Sequence, residues 1–208
     1  MPSTRYQKIN AHHYRHIWVV GDIHGEYQLL QSRLHQLSFF PKIDLLISVG
    51  DNIDRGPESL DVLRLLNQPW FTSVKGNHEA MALEAFETGD GNMWLASGGD
   101  WFFDLNDSEQ QEAIDLLLKF HHLPHIIEIT NDNIKYAIAH ADYPGSEYLF
   151  GKEIAESELL WPVDRVQKSL NGELQQINGA DYFIFGHMMF GNIQTFANQI
   201  YIDTGSPN

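Results

Sequence analysis

Cysteine is missing altogether from this 208-residue chain. Disulfides and thiolate metal sites are therefore excluded, and any bound metal must use His, Asp, Glu or Asn. Basic residues are scarce: 13 Lys and Arg face 28 Asp and Glu, a formal net charge of −15. A nucleic-acid binder usually shows a basic patch, and none is visible. The same balance argues against anionic membrane surfaces. No apolar run is long enough to span a bilayer. The polar stretch 1–15 has no apolar centre of the signal-peptide kind, so the chain reads as cytoplasmic. Repeats, low-complexity tracts and linkers are also lacking. The length suits one domain over 16–208, behind a loose N-terminal lead-in over 1–15. His12, His13 and His16 fall together near that lead-in and read as solvated residues of a tail rather than as a metal site.

Three stretches organise what is present. They are Gly21-Asp22-Ile23-His24-Gly25, then Gly50-Asp51-Asn52-Ile53-Asp54-Arg55-Gly56, then Gly76-Asn77-His78-Glu79. Each follows a short apolar run rich in β-branched residues, and each precedes a segment with helical spacing. That pattern reads as buried parallel strands in a β-α-β-α-β-α series. The loops leaving such strands gather at one edge of the sheet, where ligands bind.

Strands are expected over about 16–20, 44–49 and 71–74, with helices over 26–37, after Pro57, and over 79–87. The stretch 89–99 reads as a long loop or small lobe over the site. Its Met93 and Trp94 are candidates to line a groove, with core packing the plainer role for Trp94. A helix capped by Asp107 or Ser108 should run to about His121. A hairpin over 125–139, a helix over 153–160, a strand over 182–185 and a last hairpin over 193–202 complete the expected order.

Asp22 and His24 lie two apart, so in an extended loop both face one ion. Asp51 has two oxygens and can bridge two ions. Asn77 offers an amide oxygen, and His140 and His187 stand at the ends of two later strands. Carboxylates, imidazoles and one amide suit Mn²⁺, Fe²⁺ or Zn²⁺ better than copper. Two ions about 3.5–4 Å apart can clamp the attacking and leaving oxygens of a displacement. A bridging water, acidified to hydroxide, could then attack phosphorus with no side-chain nucleophile. His78 is the candidate general acid, Asp54 its partner, and Arg55 a two-pronged phosphate grip. Taken singly, each residue has a plainer reading as a turn or strand-end group. The convergence of three strand–loop–helix units on one edge favours the metal site. The other seven histidines read as structural.

These stretches, with His140-Ala141-Asp142-Tyr143-Pro144, Phe185-Gly186-His187 and the segment 196–205, resemble the PPP-type metallophosphatases. The likeness is greatest to the bacterial and bacteriophage-lambda-type protein serine/threonine phosphatases, from about Ile17 to Gly205. The resemblance implies an α/β fold, a four-layer α/β/β/α sandwich of the calcineurin-like kind. It also implies a two-metal centre, with Mn²⁺ the usual activating ion. Asp22, His24 and Asp51 would hold the first metal, with Asp51 bridging. Asn77, His140 and His187 would hold the second. His78 with Asp54 would donate the proton, and Arg55 would contact phosphate.

Lys75 stands where the family usually has arginine, and keeps the charge without the planar fork. Val163 replaces a second family arginine, and nearby Arg165 is the candidate substitute. Relatives continue past the segment that ends here in Asp203-Thr204-Gly205, whereas this sequence stops at Asn208. The function implied is hydrolysis of phosphoserine and phosphothreonine in phosphoproteins or phosphopeptides, extending to phosphotyrosine or phosphohistidine. The rival readings are a dinucleoside polyphosphate hydrolase of the same superfamily, a non-catalytic metal-stabilised module, and a nuclease.

Overall fold

The computed structural model describes residues 4–205. In chain order the elements are β1 (Tyr6–Asn10), β2 (His16–Val20), α1 (Tyr27–Gln36), β3 (Asp44–Ser48), α2 (Ser59–Arg64), β4 (Phe71–Ser73) and α3 (Asn77–Thr88). Then come α4 (Asn92–Ala96), α5 (Asp107–Leu117), β5 (Ile126–Asn131), β6 (Ile134–Ile138), α6 (Ser157–Leu160) and α7 (Asp164–Leu170). The chain closes with β7 (Tyr182–Phe185), β8 (Gln194–Phe196) and β9 (Gln199–Tyr201).

Two sheets stack. The smaller has the order β2-β3-β4 and is parallel throughout. The larger is mixed, in the order β1-β5-β6-β7-β9-β8. The period of two along β3 shows the layering. Leu45 and Ile47 face Ile127, Ile129 and Ile138 of the larger sheet, while Leu46 faces Leu30, Leu34 and Val62 of α1 and α2. On the other side, Leu159, Leu160 and Val166 of α6 and α7 cover Ile126, Phe183 and Phe185. The layers are thus helix, sheet, sheet, helix. No described helix is long and apolar enough to cross a membrane.

The expected lead-in over 1–15 is corrected at Tyr6–Asn10, which pair in parallel with Ile126–Thr130. Only Ile9 of that strand is buried. It is a polar edge strand, so it carries no period-two apolar signal. The cap of α5 is Asn106, not Asp107 or Ser108. Its side chain accepts from Ser108 and Glu109 N–H at 3.0 and 3.1 Å, and Glu109 accepts back from its N–H at 3.1 Å. The helix expected over 153–160 shrinks to α6, because upstream residues are tied elsewhere: Thr4 Oγ1 takes the Ile154 N–H at 2.7 Å.

Candidate metal centre

The carboxyl ends of β2, β3 and β4 lie side by side with β3 central, so the loop carrying Asp51 lies between the other two. The first two loops are stitched by backbone. Ile23 and His24 N–H both reach the Asp51 carbonyl at 3.0 Å, and Gly25 N–H reaches that of Asn52 at 2.9 Å. Glu79 stitches the second to the third. Its buried carboxylate accepts from Asp51 N–H (3.1 Å), Asn52 N–H (2.6 Å) and Gly76 N–H (2.9 Å). Asp51 Oδ1 accepts the His78 N–H at 3.0 Å, at the positive end of α3. Gly76 is required by this closeness: a Cβ there would lie 2.2 Å from Asp51 Oδ1. His24, Asp51, Asp54, Arg55 and His187 all hold positive φ, between 46° and 74°. Strain of that kind persists only where the surroundings impose it, and it gathers at functional sites.

Asp51 is common to two groups of ligand atoms. His24, Asp51 and His78 place theirs within 4.8 Å of one another, and so do Asp51, His140 and His187. Asp51 Oδ2 is 4.0 Å from His24 Nε2 and 3.9 Å from His78 Nε2, while Oδ1 is 3.4 Å from His140 Nε2. Asn77 Oδ1 lies 2.7 Å from His140 Nε2 and 2.9 Å from His187 Nδ1. His140 and His187 follow the adjacent strands β6 and β7, so the larger sheet completes what the smaller begins. Asp22 lies outside these two tight groups. Its oxygens accept the His187 backbone N–H at 3.0 and 3.2 Å.

The donor set fits cations. His140 Nδ1 meets the Val49 carbonyl at 2.8 Å, and His24 Nδ1 meets that of Ile53 at 2.9 Å. Those carbonyls can only accept, so each Nδ1 carries hydrogen and each ring turns its Nε2 inward. His140 Nε2 faces the Asn77 Oδ1 acceptor at 2.7 Å, a contact that needs a proton or a cation between the two atoms. On the other side a cation is already present. The Arg55 guanidinium spans His24 Nε2 at 2.9 Å and His78 Nε2 at 3.2 Å.

Residues 15–190 match the family of calcineurin-like phosphoesterases. The chain belongs to that family. Serine/threonine-protein phosphatase 2 of Salmonella typhimurium is 59% identical over 206 residues, 99% of this chain and 94% of the relative. Serine/threonine-protein phosphatase 1 of the same organism is 45% identical, with 99% and 93% covered. In structure, a protein serine/threonine phosphatase from Saccharomyces cerevisiae superposes with a TM-score of 0.66 at 18% identity, over 96% of this chain and 71% of the other. That last likeness is one of fold. The chain is a hydrolase of phosphate esters, with the layered fold expected from the sequence.

The electrostatics of this phosphoesterase centre are those of crowded buried charge. Burial pushes Asp22 well up, and the neighbouring Asp51 adds to it. Burial works on Asp51 in the same sense, but the imidazoles of His140, His78 and His24 reverse this and hold it low. Burial opposes charge on His140, yet Asp51 overrides it and carries the ring up to about 10. Burial and His140 push His187 down to about 4. Two buried carboxylates whose proton affinities separate in this way share one crowded site.

Two expected substrate contacts do not reach this centre. Lys75 is buried, and its Nζ donates to Glu156 at 2.8 Å, away from the loops. Arg165 is also buried. Its Nε donates to Asp142 at 2.8 Å, and its Nη2 to the Tyr143 and Gly145 carbonyls at 2.9 and 2.6 Å. With those donors spent it holds a loop together, because a buried guanidinium satisfies its nearest acceptors first. Arg55 alone of the three lies across the cluster.

The structure also adds roles that the sequence reading did not assign. Glu79 ties two loops, and its sequence sign is its position three residues after Gly76. Trp94 is buried as expected, but its indole N–H and that of Trp101 both end on Asp54. No local pattern pairs residues forty positions apart. Met93 is exposed.

Proposed function

We propose that this phosphoesterase is a metal-dependent protein phosphatase that hydrolyses phosphoserine and phosphothreonine. The observation that carries the reading is Asp51 shared between two donor groups, with the His78–Asp54 pair and Arg55 on the same rim. The names and high identity of the two Salmonella relatives support it. We assign Asp22, His24, Asp51, Asn77, His140 and His187 as the ligands of two divalent ions. Mn²⁺ is the first choice for a donor set of oxygens and imidazoles, with Fe²⁺ and Zn²⁺ as its competitors. Such ions, when bound, acidify water and offset the charge of the phosphoryl group.

The chain's own groups divide the remaining work. Water supplies the new P–O bond, the ester P–O bond breaks, and the leaving oxygen needs a proton. His78 Nδ1 is held by Asp54 Oδ2 at 2.7 Å, so its Nε2 edge faces the cluster as the donor. A phosphate group draws the Arg55 guanidinium off the two imidazoles and frees that edge, since an anion is the better partner for the fork. Glu79 and Gly76 keep Asp51 in place against the start of α3. The net charge of −15 favours phosphorylated protein over a long polyanion as substrate.

The test is phosphate release in Mn²⁺ from a panel of phosphoserine, phosphothreonine and phosphotyrosine peptides, beside diadenosine tetraphosphate. Turnover of the serine and threonine peptides is expected. Turnover of the dinucleotide alone would move the function to nucleotide hydrolysis at the same centre.

A further inference from the structure

Asp54 has no solvent exposure, and its carboxylate receives more donors than His78 alone supplies. Oδ2 pairs with His78 Nδ1 at 2.7 Å. Oδ1 accepts two indole N–H groups, from Trp94 at 2.9 Å and from Trp101 at 2.8 Å. The Asp54 backbone N–H is in turn held by Ser59 Oγ at 2.9 Å. Any buried indole N–H needs an acceptor; here two of them, from α4 and from the 3₁₀ turn over Gly99–Asp104, converge on one carboxylate, and that of Trp94 also lies 3.1 Å from Oδ2.

The segment that carries them is fitted to this place. Trp94 and Trp101 meet edge to face with centroids 6.3 Å apart, and Phe86 and Phe102 back them. A Cβ at Gly99 would lie 2.5 Å from the Trp94 ring. Gly98, at φ +103°, gives its carbonyl to the Arg55 N–H at 3.2 Å. The lobe over 92–104 therefore grips Asp54 and Arg55 together, both of them in left-handed backbone.

We propose that Trp94 and Trp101 are positioning residues for ester cleavage: their indole N–H groups clamp Oδ1 of Asp54 so that Oδ2 fixes the orientation of the His78 ring. The inference rests on the reading of His78 as the proton donor. Neither indole N–H is bonded to His78, so both act through Asp54. A carboxylate held at both oxygens cannot swing, and the ring it holds keeps Nε2 aimed at the leaving oxygen. Freed of one clamp, the pair samples other geometries, and a supporting shell left loose by a fraction of an ångström weakens a catalytic constellation. The weakness should show only where the leaving group needs its proton.

The experiment uses the full chain loaded with Mn²⁺. Trp101→Phe and Trp94→Phe keep an aromatic ring and remove the N–H. The kcat for a phosphoserine peptide should fall about tenfold, as for other supporting hydrogen-bond partners. On p-nitrophenyl phosphate, whose leaving group needs little protonation, the fall should stay under about twofold, with KM and metal content unchanged on both. His78→Asn, run beside them, should show the same selectivity more strongly. A benzothienylalanine placed at position 101 keeps the shape of the indole without its N–H, and should reproduce the pattern in a fully folded protein. Equal losses on both esters, or none, in the tryptophan variants while His78→Asn stays selective would overturn the inference alone. Equal losses in His78→Asn, or wild-type silence on both esters, would overturn the proton-donor reading and the inference with it.

Discussion

Two charged regions lie close together in this fold and are built in opposite ways. Around α6 and α7 the inward-turned charges are paired with one another. Lys75 and His125 share Glu156, and Arg165 holds Asp142. None of these five residues has positive φ. At the loops after β2, β3 and β4 and the strand ends of β6 and β7, the buried carboxylates of Asp22 and Asp51 meet the imidazoles of His24, His78, His140 and His187, and five residues sit in left-handed backbone. The first region is complete as protein. The second is held in place by its surroundings, yet it turns His140 Nε2 and Asn77 Oδ1 onto one another with an acceptor on each side. That difference, rather than the number of charged residues, separates a structural ion-pair cluster from a site that needs a ligand.

The comparison breaks most sharply at Asp51. Asp51→Ala removes the one carboxylate common to both donor groups, so bound metal, read by elemental analysis, should fall from two ions per chain towards none, and turnover should fall with it. Retention of two ions would remove Asp51 from the bridging position. Next in size is His78→Asn, which should keep both ions and lose roughly 10²–10⁴ in rate on alkyl phosphates.

The ion-paired region should respond in stability and not in catalysis. Arg165→Met strands the buried Asp142 carboxylate and should cost about 3–5 kcal/mol in denaturant unfolding, as breaking a buried pair does. Its KM for a phosphopeptide should hold within about twofold, since a guanidinium already spent on Asp142 and two carbonyls has little to offer phosphate. A clear rise in KM would restore Arg165 as a substrate contact. Lys75→Met leaves Glu156 with His125 and should cost less, about 1–3 kcal/mol.

The smallest effect is one of pH. The His125 hydrogen bond, followed by that of Lys75, holds the Glu156 carboxyl down at about 2. A depressed carboxyl stabilises the fold fully above its unfolded value near 4.3, and the contribution is lost as pH falls towards 2. The melting gap between wild type and Glu156→Gln should therefore narrow across that window and stay constant above about pH 5.

The sequence made the candidate metal edge legible because its residues cluster in three short motifs, each at the end of an apolar run. Asp22, His24, Asp51, Asn77 and His78 are read from local spacing. His140 and His187 are read from strand ends. Less legible was anything decided by pairing across distance. Tyr6–Asn10 join a sheet through backbone bonds to residues 120 positions away, with a single buried side chain to announce it. Lys75 and Arg165 have the right charge near the right motifs, but their direction was set by Glu156 and Asp142. Trp94 looked like core because it is core, and so is Trp101; only their shared oxygen on Asp54 gives them a second role.

The central claim is that the incompletely paired cluster is a two-ion phosphatase centre. The most direct measurement is to strip the protein of metal and titrate it with Mn²⁺, following bound ion and phosphate release from a phosphoserine peptide together. The account predicts silence without metal and activity that saturates as two ions bind per chain. Phosphate release from the stripped protein, or saturation of activity at a single ion, would contradict it.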